Sequence, residues 1–181
     1  NHRFLMNSTS MRIRSTEKRV RSLNSVEGIC SSASSSTKKN LHMLNKDLIA
    51  KKLALIDEYI GELEPLVAHG EQELRKDKLK YHTAERMFQL IVDAMIDINT
   101  HIIRQQMLGT PDDLQSTFTL LGDTGVLPKE FAGKIAPMVG LRNAVVHRYE
   151  TISKERFLHE LVHNFSDFKT YAIAIAEKCL E

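Results

Sequence analysis

The stretch LRNAVVHRYE, residues 141–150, concentrates side chains that can act on a phosphate group. Its apolar residues follow a helical spacing, yet it also carries Arg142, Asn143, His147, Arg148 and Tyr149. Histidine titrates near neutral pH and serves as a general base or acid. Arginine stays charged and grips phosphate through parallel N–H donors. The residue types in this stretch therefore predict a site rather than an ordinary surface or core helix.

Metal-independent cleavage of RNA is the reaction that these residue types suit. The ribose 2′-hydroxyl needs a base, the leaving 5′-oxygen needs a proton, and the negative phosphorane needs a cation. His147 would supply the base or acid and Arg142 the cation, while the amide of Asn143 would orient either group or the phosphate. The alternative is that Arg142 and His147 are half-exposed helix residues with local hydrogen bonds, since matches to so short a motif are common.

The spacing decides which of these groups can cooperate. Asn143 and His147 are one turn apart and share a helix face, and Arg142 and Tyr149 share another. Arg142 and His147 diverge by about 140° on an unbroken helix. The two would converge on one substrate if the helix ended near His147, or if a symmetry-related copy supplied the second set across a groove.

A second motif, HELVH at residues 159–163, matches the H-E-x-x-H pattern in which two histidines bind zinc and the glutamate acts as a base. No third histidine follows it, and no strand pattern suggests the cleft that a protease needs. We therefore interpret His159 and His163 as chance placement on a helix flank and assign no metal site. A zinc protease is the less favoured alternative.

Asp93, Asp97 and His101 step by four residues along another predicted helix and form a polar stripe. These side chains could face a dimer groove, where they would tune His147 or position a water. A solvated face or a row of hydrogen bonds within the bundle is the more common role of such a stripe.

Length and composition indicate one helical domain. At 181 residues the chain suffices for a single domain with a core, and 42% apolar against 27% charged residues is the balance of a globular protein. Cys30 and Cys179 lie far apart with no CxxC spacing, which favours a reducing, cytosolic setting without a disulfide framework. No apolar run approaches the length of a membrane span.

Charge is distributed unevenly along the chain. Residues 1–42 hold eight Lys or Arg against two Glu, a balance of +6, which leaves −4 for the rest of a chain of net charge +2. This head is serine-rich and aperiodic, so we expect it to be disordered and favour upstream or vector sequence over a transit peptide or a nucleic-acid-binding arm. A domain over residues 43–181 follows. Because this domain is acidic, an RNA site in it needs a local positive field, for which the sequence offers Arg142, Arg148, Lys154 and Arg156.

Apolar periodicity predicts an all-α, up-and-down bundle of four long helices and one short one. The first runs from Lys46 to about Val67, and a polar link over 68–77 follows. Asp77 caps the second helix, which continues to about Leu108 with Leu79 on its buried side. A short helix lies in DLQSTFTLLG, residues 113–122. The third long helix starts at Pro128 and is kinked at Pro137 and Gly140, and Thr151 or Ser153 caps the fourth.

Two linked motifs carry a resemblance to a known family. RNAVVHRY has the form R-x4-H-x-Y, and AERMFQLIVDAMIDINTHII, residues 84–103, has an A-E-R start and a D-I-x-x-H-I end. In this order the two resemble the signature of the HepT-type toxins of the HEPN superfamily, which are all-helical ribonucleases. The resemblance spans about residues 43–181, leaves the basic head outside, and implies the HEPN fold.

The resemblance implies a function as well. Toxins of this type form dimers whose paired R-x4-H motifs build a composite ribonuclease site without a cofactor, which would assign Arg142, Asn143 and His147 here. Their partner is an MNT-type nucleotidyltransferase antitoxin, MntA, which transfers AMP to the motif tyrosine, here Tyr149. Adding AMP beside Arg142 would place phosphate charge where RNA should bind. The alternative is a non-catalytic helical partner or substrate-binding subunit of a nucleotidyltransferase.

Overall fold

The computed structural model describes residues 44–146 and 153–180, and within these ranges the chain forms seven helices and no strand. They run in the order α1 (Lys46–Ala68), α2 (Gly70–Lys76), α3 (Lys78–Gln106), α4 (Ser116–Asp123), α5 (Lys129–Ile135), α6 (Pro137–Val146) and α7 (Lys154–Cys179). The expected all-α architecture is therefore confirmed for the part of the chain that the structure describes. None of these helices is both long and apolar enough to span a membrane.

The three longest helices, α1, α3 and α7, start at side-chain caps and bury one face each. The Asn45 side chain accepts the Leu48 N–H, Asp77 accepts from Leu79 and Lys80, and Ser153 accepts from Arg156. Such caps satisfy N–H groups that lack a partner in the first helical turn. Helix α1 packs along α3 and α7, so these helices form the centre of the bundle. The predicted caps Asp77 and Ser153 are confirmed.

A buried polar network joins α3, α4 and α7 inside this core. The hydroxyl of Tyr171, which is fully buried, donates to Asn99 Oδ1 at 2.7 Å, and Asn99 Nδ2 donates to Thr117 Oγ1 at 3.3 Å. Buried polar groups are tolerated when they are paired, and a paired network fixes how its helices sit against one another. The register of α3 against α7 is held in this way.

Two predicted elements were wrong in detail. The segment interpreted as a polar link forms helix α2, because Leu74 is fully buried and because Glu71 and Glu73 lie in the first turn while Arg75 and Lys76 lie in the last. Charges in this order favour a helix through its dipole. Leu79, expected on the buried side of α3, is 77% exposed, since it lies in the first turn beside the cap.

The third long helix is two helices rather than one kinked helix. Helix α5 ends at Ile135 and α6 starts at Pro137, because proline has no N–H to continue the ladder and suits a first helical position. Helix α5 packs closely on α4, where a Cβ on Gly122 would lie 2.7 Å from the Cβ of Ala132. The break lets α6 take its own direction and pack against α3.

Candidate functional site

Helix α6 carries the described half of the R-x4-H motif. Its first residues, Met138 and Val139, are buried together with Leu141, which anchors the helix in the core. Arg142 and Asn143 follow on the half-buried side. The helix is described as far as Val146, so His147, Arg148 and Tyr149 lie outside the described residues. The described part of the candidate site thus consists of the polar side of α6 and the side chains of neighbouring helices that face it.

Arg142 is held by Asp93 of α3. Its Nε lies 2.8 Å from Asp93 Oδ1, and its Nη2 donates a hydrogen bond of 3.1 Å to Asp93 Oδ2. The Nε–H makes no well-directed hydrogen bond. The Nη2 hydrogen bond therefore fixes the orientation of the guanidinium, and the Nε contact adds electrostatic attraction to Asp93. The Arg142 side chain is 21% exposed and that of Asp93 41%. Water screens such a half-exposed pair, which therefore orients the guanidinium more than it stabilises the fold.

Asn143 contacts the opposite end of the same guanidinium. The Arg142 Nη1 donates to Asn143 Oδ1 at 3.1 Å. Each Nη nitrogen carries two N–H groups, and these contacts use one on each, so among the described residues one N–H remains on Nη1 and one on Nη2. Two such donors can bind a phosphate bidentately. Asp93 and Asn143 thereby leave Arg142 oriented and still able to take an anion.

The polar stripe of α3 divides between two neighbours. Asp97 forms an ion pair of 2.6 Å with Lys52 of α1, and His101 Nε2 accepts the Asn45 N–H at 3.3 Å. Burial lowers the pKa of His101, which favours the neutral imidazole that can accept this bond. Only Asp93 turns toward α6. The stripe is therefore a row of hydrogen bonds within the bundle, with one member at the candidate site.

Basic side chains also lie at the start of α7, the helix that follows the motif. Arg156 is exposed, and Lys154 Nζ stands 4.9 Å from the centre of the Tyr81 ring. The cation–π contact holds Lys154 without neutralising it. Both side chains are therefore available to the local positive field around Arg142, which stays a prediction.

The HELVH segment has a partner that sequence reasoning missed. His159 and His163 are exposed on one side of α7, and Glu71 of α2 places its Oε1 3.2 Å and 3.5 Å from their respective Nδ1 atoms. Ligand atoms of the three side chains all lie within 4.8 Å of one another. Glu71 precedes the motif by 88 residues and belongs to the segment that the sequence predicts to be a polar link. No signal in the sequence pairs such distant residues.

Sequence comparison places the chain among helical nucleases. Residues 56–175 match the model of a family described as ribonuclease HepT-like. The mRNA nuclease HepT of Shewanella oneidensis is 31% identical over 125 residues, which are 69% of this chain and 93% of that protein. The tRNA nuclease HepT of Aphanizomenon flos-aquae is 30% identical over 124 residues, covering 68% and 84% of the two chains.

Solved structures share the fold. A tri-AMPylated HEPN toxin of Shewanella oneidensis, in complex with an MNT antitoxin, superposes with a TM-score of 0.66 at 30% identity over 72% of this chain and 98% of that chain. YutE, a cytosolic protein of Bacillus subtilis, gives a TM-score of 0.64 at 11% identity over 75% and 90% of the two chains, a likeness of fold alone. The predicted HEPN fold and the resemblance to HepT-type proteins are confirmed.

Proposed function

The chain belongs to the HepT-like ribonuclease family, and from this membership we propose that it is the toxin of a HEPN/MNT toxin–antitoxin system, a metal-independent endoribonuclease that cleaves cellular RNA in the cytoplasm. Relatives at 30–31% identity are an mRNA nuclease and a tRNA nuclease, which supports RNA as the substrate class and leaves the target open. The observation that carries the proposal is the orientation of Arg142 by Asp93 and Asn143, with N–H donors remaining for a phosphate.

Arg142, Asn143 and His147 divide the reaction between them. Arg142 binds the scissile phosphate and stabilises the charge of the phosphorane. His147 takes the proton of the 2′-hydroxyl as its oxygen bonds to phosphorus, and a histidine returns a proton to the 5′-oxygen as the P–O5′ bond breaks. The products are a 2′,3′-cyclic phosphate and a free 5′-hydroxyl. The contact of Asn143 with Arg142 supports an orienting role for the amide.

The active site is shared between two copies of the chain. Arg142 and His147 are five residues apart, so on a continuous helix they would diverge by about 140° and one copy would direct them to different sides. A two-fold axis beside α6 would bring Arg142 of one copy toward His147 of the other. In such a groove one histidine can serve as base and its symmetry mate as acid.

Neutralisation acts on the same motif. An MNT-type nucleotidyltransferase antitoxin, similar to MntA, transfers AMP to the hydroxyl of Tyr149, with pyrophosphate as the leaving group if ATP is the donor. The solved complex of an AMPylated HEPN toxin with an MNT antitoxin supports this partner and this chemistry. AMP on Tyr149 adds negative charge and bulk where Arg142 would bind RNA.

Growth of cells that express the full chain without a partner tests the toxin assignment. We expect growth arrest from the parent chain and normal growth from Arg142→Ala and His147→Ala, at equal protein levels and equal helical content by circular dichroism. Arg104→Ala, which removes an exposed arginine of α3, is the matched control and should arrest growth. A parent chain without effect on growth would favour the non-catalytic partner of a nucleotidyltransferase.

A further inference from the structure

Three side chains outside the proposed nuclease site form a compact ligand set where α2 meets α7. His159 and His163 are one helical turn apart, so they lie on one face of α7, and their ring centres are 3.9 Å apart. Glu71, in the first turn of α2, approaches both rings. Two imidazoles and a carboxylate are the ligand set of many zinc sites.

The two distances from Glu71 to the histidines match those between ligands of a tetrahedral ion. Two atoms that each lie about 2.0–2.1 Å from a tetrahedral zinc ion are about 3.3 Å apart. Glu71 Oε1 stands 3.2 Å from His159 Nδ1 and 3.5 Å from His163 Nδ1. His163 Nδ1 also donates to the backbone carbonyl of His159 at 2.8 Å, so ligation through that nitrogen exchanges one neutral hydrogen bond for a metal bond. The side chains therefore already lie close enough together for small changes of side-chain orientation to bring all three to one ion.

We propose that Glu71, His159 and His163 bind one divalent transition metal ion, with Zn²⁺ as the probe of choice and water completing the coordination. Nitrogen ligands favour such ions over Mg²⁺ or Ca²⁺, which prefer oxygen. The side chains are 35%, 60% and 57% exposed, so they lose conformational freedom on binding. We therefore expect a dissociation constant on the order of micromolar, weaker than that of a buried structural zinc.

The bound ion would fasten α2 to α7. The two helices are already joined by an ion pair of 2.7 Å between Arg75 and Glu155. That pair is exposed and stabilises the contact weakly. A metal bridge from Glu71 to the two histidines would add a second, stronger link along the first three turns of α7, the helix that follows the nuclease motif in the chain.

The site differs from a zinc protease although it contains the same motif. In a protease the glutamate of H-E-x-x-H activates the metal-bound water. Here Glu160 is half-buried, and its Oε2 accepts a hydrogen bond of 3.0 Å from Asn164 Nδ2 on the same helix. Glu160 is therefore engaged by a hydrogen bond within its own helix, and the ion would have a structural role, linking α2 to α7.

Calorimetric titration of the untagged full chain with Zn²⁺ tests the site. We expect one equivalent to bind with an affinity that falls at least about tenfold in His159→Ala and in His163→Ala, since even outer ligand partners contribute that much. His82→Ala removes an exposed histidine of α3 outside the cluster and should bind as the parent does. Glu160→Gln should also bind normally. Equal affinity in the parent and in the His159→Ala,His163→Ala double variant would overturn the proposal.

Hydrogen exchange of the α2 amides tests the bridge itself. Zn²⁺ should slow exchange over residues 70–76 in the parent chain, because the bridge restrains local opening of that helix. Glu71→Gln retains both histidines but loses the carboxylate, so Zn²⁺ should leave its exchange over α2 unchanged. Exchange in the parent that does not respond to saturating Zn²⁺ would contradict a link between α2 and α7. Neither measurement depends on cleavage of RNA.

Discussion

Arg142 of α6 and Asp93 of α3 form an ion pair, with Nε 2.8 Å from Oδ1 and an Nη2 hydrogen bond of 3.1 Å to Oδ2. The pair joins α6, which carries the first part of the R-x4-H motif, to α3, the longest helix that the structure describes. Asp93 binds one edge of the guanidinium and leaves N–H donors elsewhere on it. Through this pair the core positions a cation at the proposed site.

Asp93→Asn should slow RNA cleavage about tenfold to a hundredfold while leaving the fold intact. The amide can still accept one bond from Arg142, but the charge that holds the guanidinium is gone, and small misplacements of a substrate-binding group cost about this much. Steady-state kinetics would separate kcat from KM. Asp97→Asn, a change of the same chemistry one turn along α3, breaks a pair with Lys52 and should cleave as the parent does. Equal loss in both variants would mean that Asp93 does not act through Arg142.

Tyr149→Phe should make the chain resistant to its antitoxin. The substitution removes the hydroxyl that we propose as the AMP acceptor and leaves Arg142 and His147 unchanged, so we expect the variant to cleave RNA and to stay active after incubation with the MNT partner and ATP. Mass spectrometry of both proteins gives the readout. An AMP adduct on Tyr149→Phe would move the acceptor to another residue.

Gly122→Ala should destabilise the bundle by about 1–3 kcal/mol, since overpacking forces neighbouring atoms apart. The new Cβ would lie 2.7 Å from Ala132 Cβ and 3.3 Å from Lys129 Cα, where α4 and α5 approach closely. Gly133→Ala, on the exposed side of α5 with nothing within 4 Å, should instead leave stability unchanged or raise it by up to about 1 kcal/mol. Urea denaturation of both variants measures the contrast. A Gly122→Ala variant as stable as the parent would contradict the close packing of α4 on α5.

The free energy of unfolding should decrease as the pH is lowered, and part of this decrease should depend on His101. Burial lowers the pKa of His101 in the folded chain, so below about pH 6.5, the value for an unfolded histidine, the unfolded chain binds more protons and the free energy of unfolding decreases. The decrease ends once the pH is below the folded pKa. His101→Gln keeps an acceptor for the Asn45 N–H but does not titrate. The loss of stability between about pH 7.5 and about pH 5.5 should therefore be smaller in the variant, and an equal loss would contradict this role.

The helices could be predicted from the sequence where their signals are local. Apolar spacing and the caps Asp77 and Ser153 depend on neighbours within one or two turns, and the structure has both caps. Helix α2 was missed because only one apolar residue, Leu74, anchors it. The acidic residues at its start and the basic residues at its end are a local signal that favours a helix. At Pro137 the sequence predicts a kink in one helix, whereas the structure has two helices, α5 and α6. The sequence does not show that α5 already ends against α4.

The candidate site was predictable in its residue types but not in its contacts. Periodicity places Asp93, Asp97 and His101 on one side of α3, but the rotation of that helix against α1 and α6 decides which residue meets Arg142. Arg142 and Asp93 are 49 residues apart, and tertiary packing alone joins them. The proximity of Glu71 to the HELVH histidines has the same origin. Spacing within a helix predicts faces, whereas partners across helices require the fold.

The most direct test of the central claim is incubation of the purified full chain, free of AMP by mass spectrometry, with total RNA in EDTA. Arg142→Ala and His147→Ala are assayed beside it, with Arg104→Ala as the control. We predict cleavage by the parent and the control, with 2′,3′-cyclic phosphate ends, and a loss of at least about a hundredfold in the other two variants. EDTA also strips any metal from Glu71, His159 and His163, so the result is independent of that site. Intact RNA with the parent, undiminished cleavage by His147→Ala, or cleavage only after metal is restored would contradict the account.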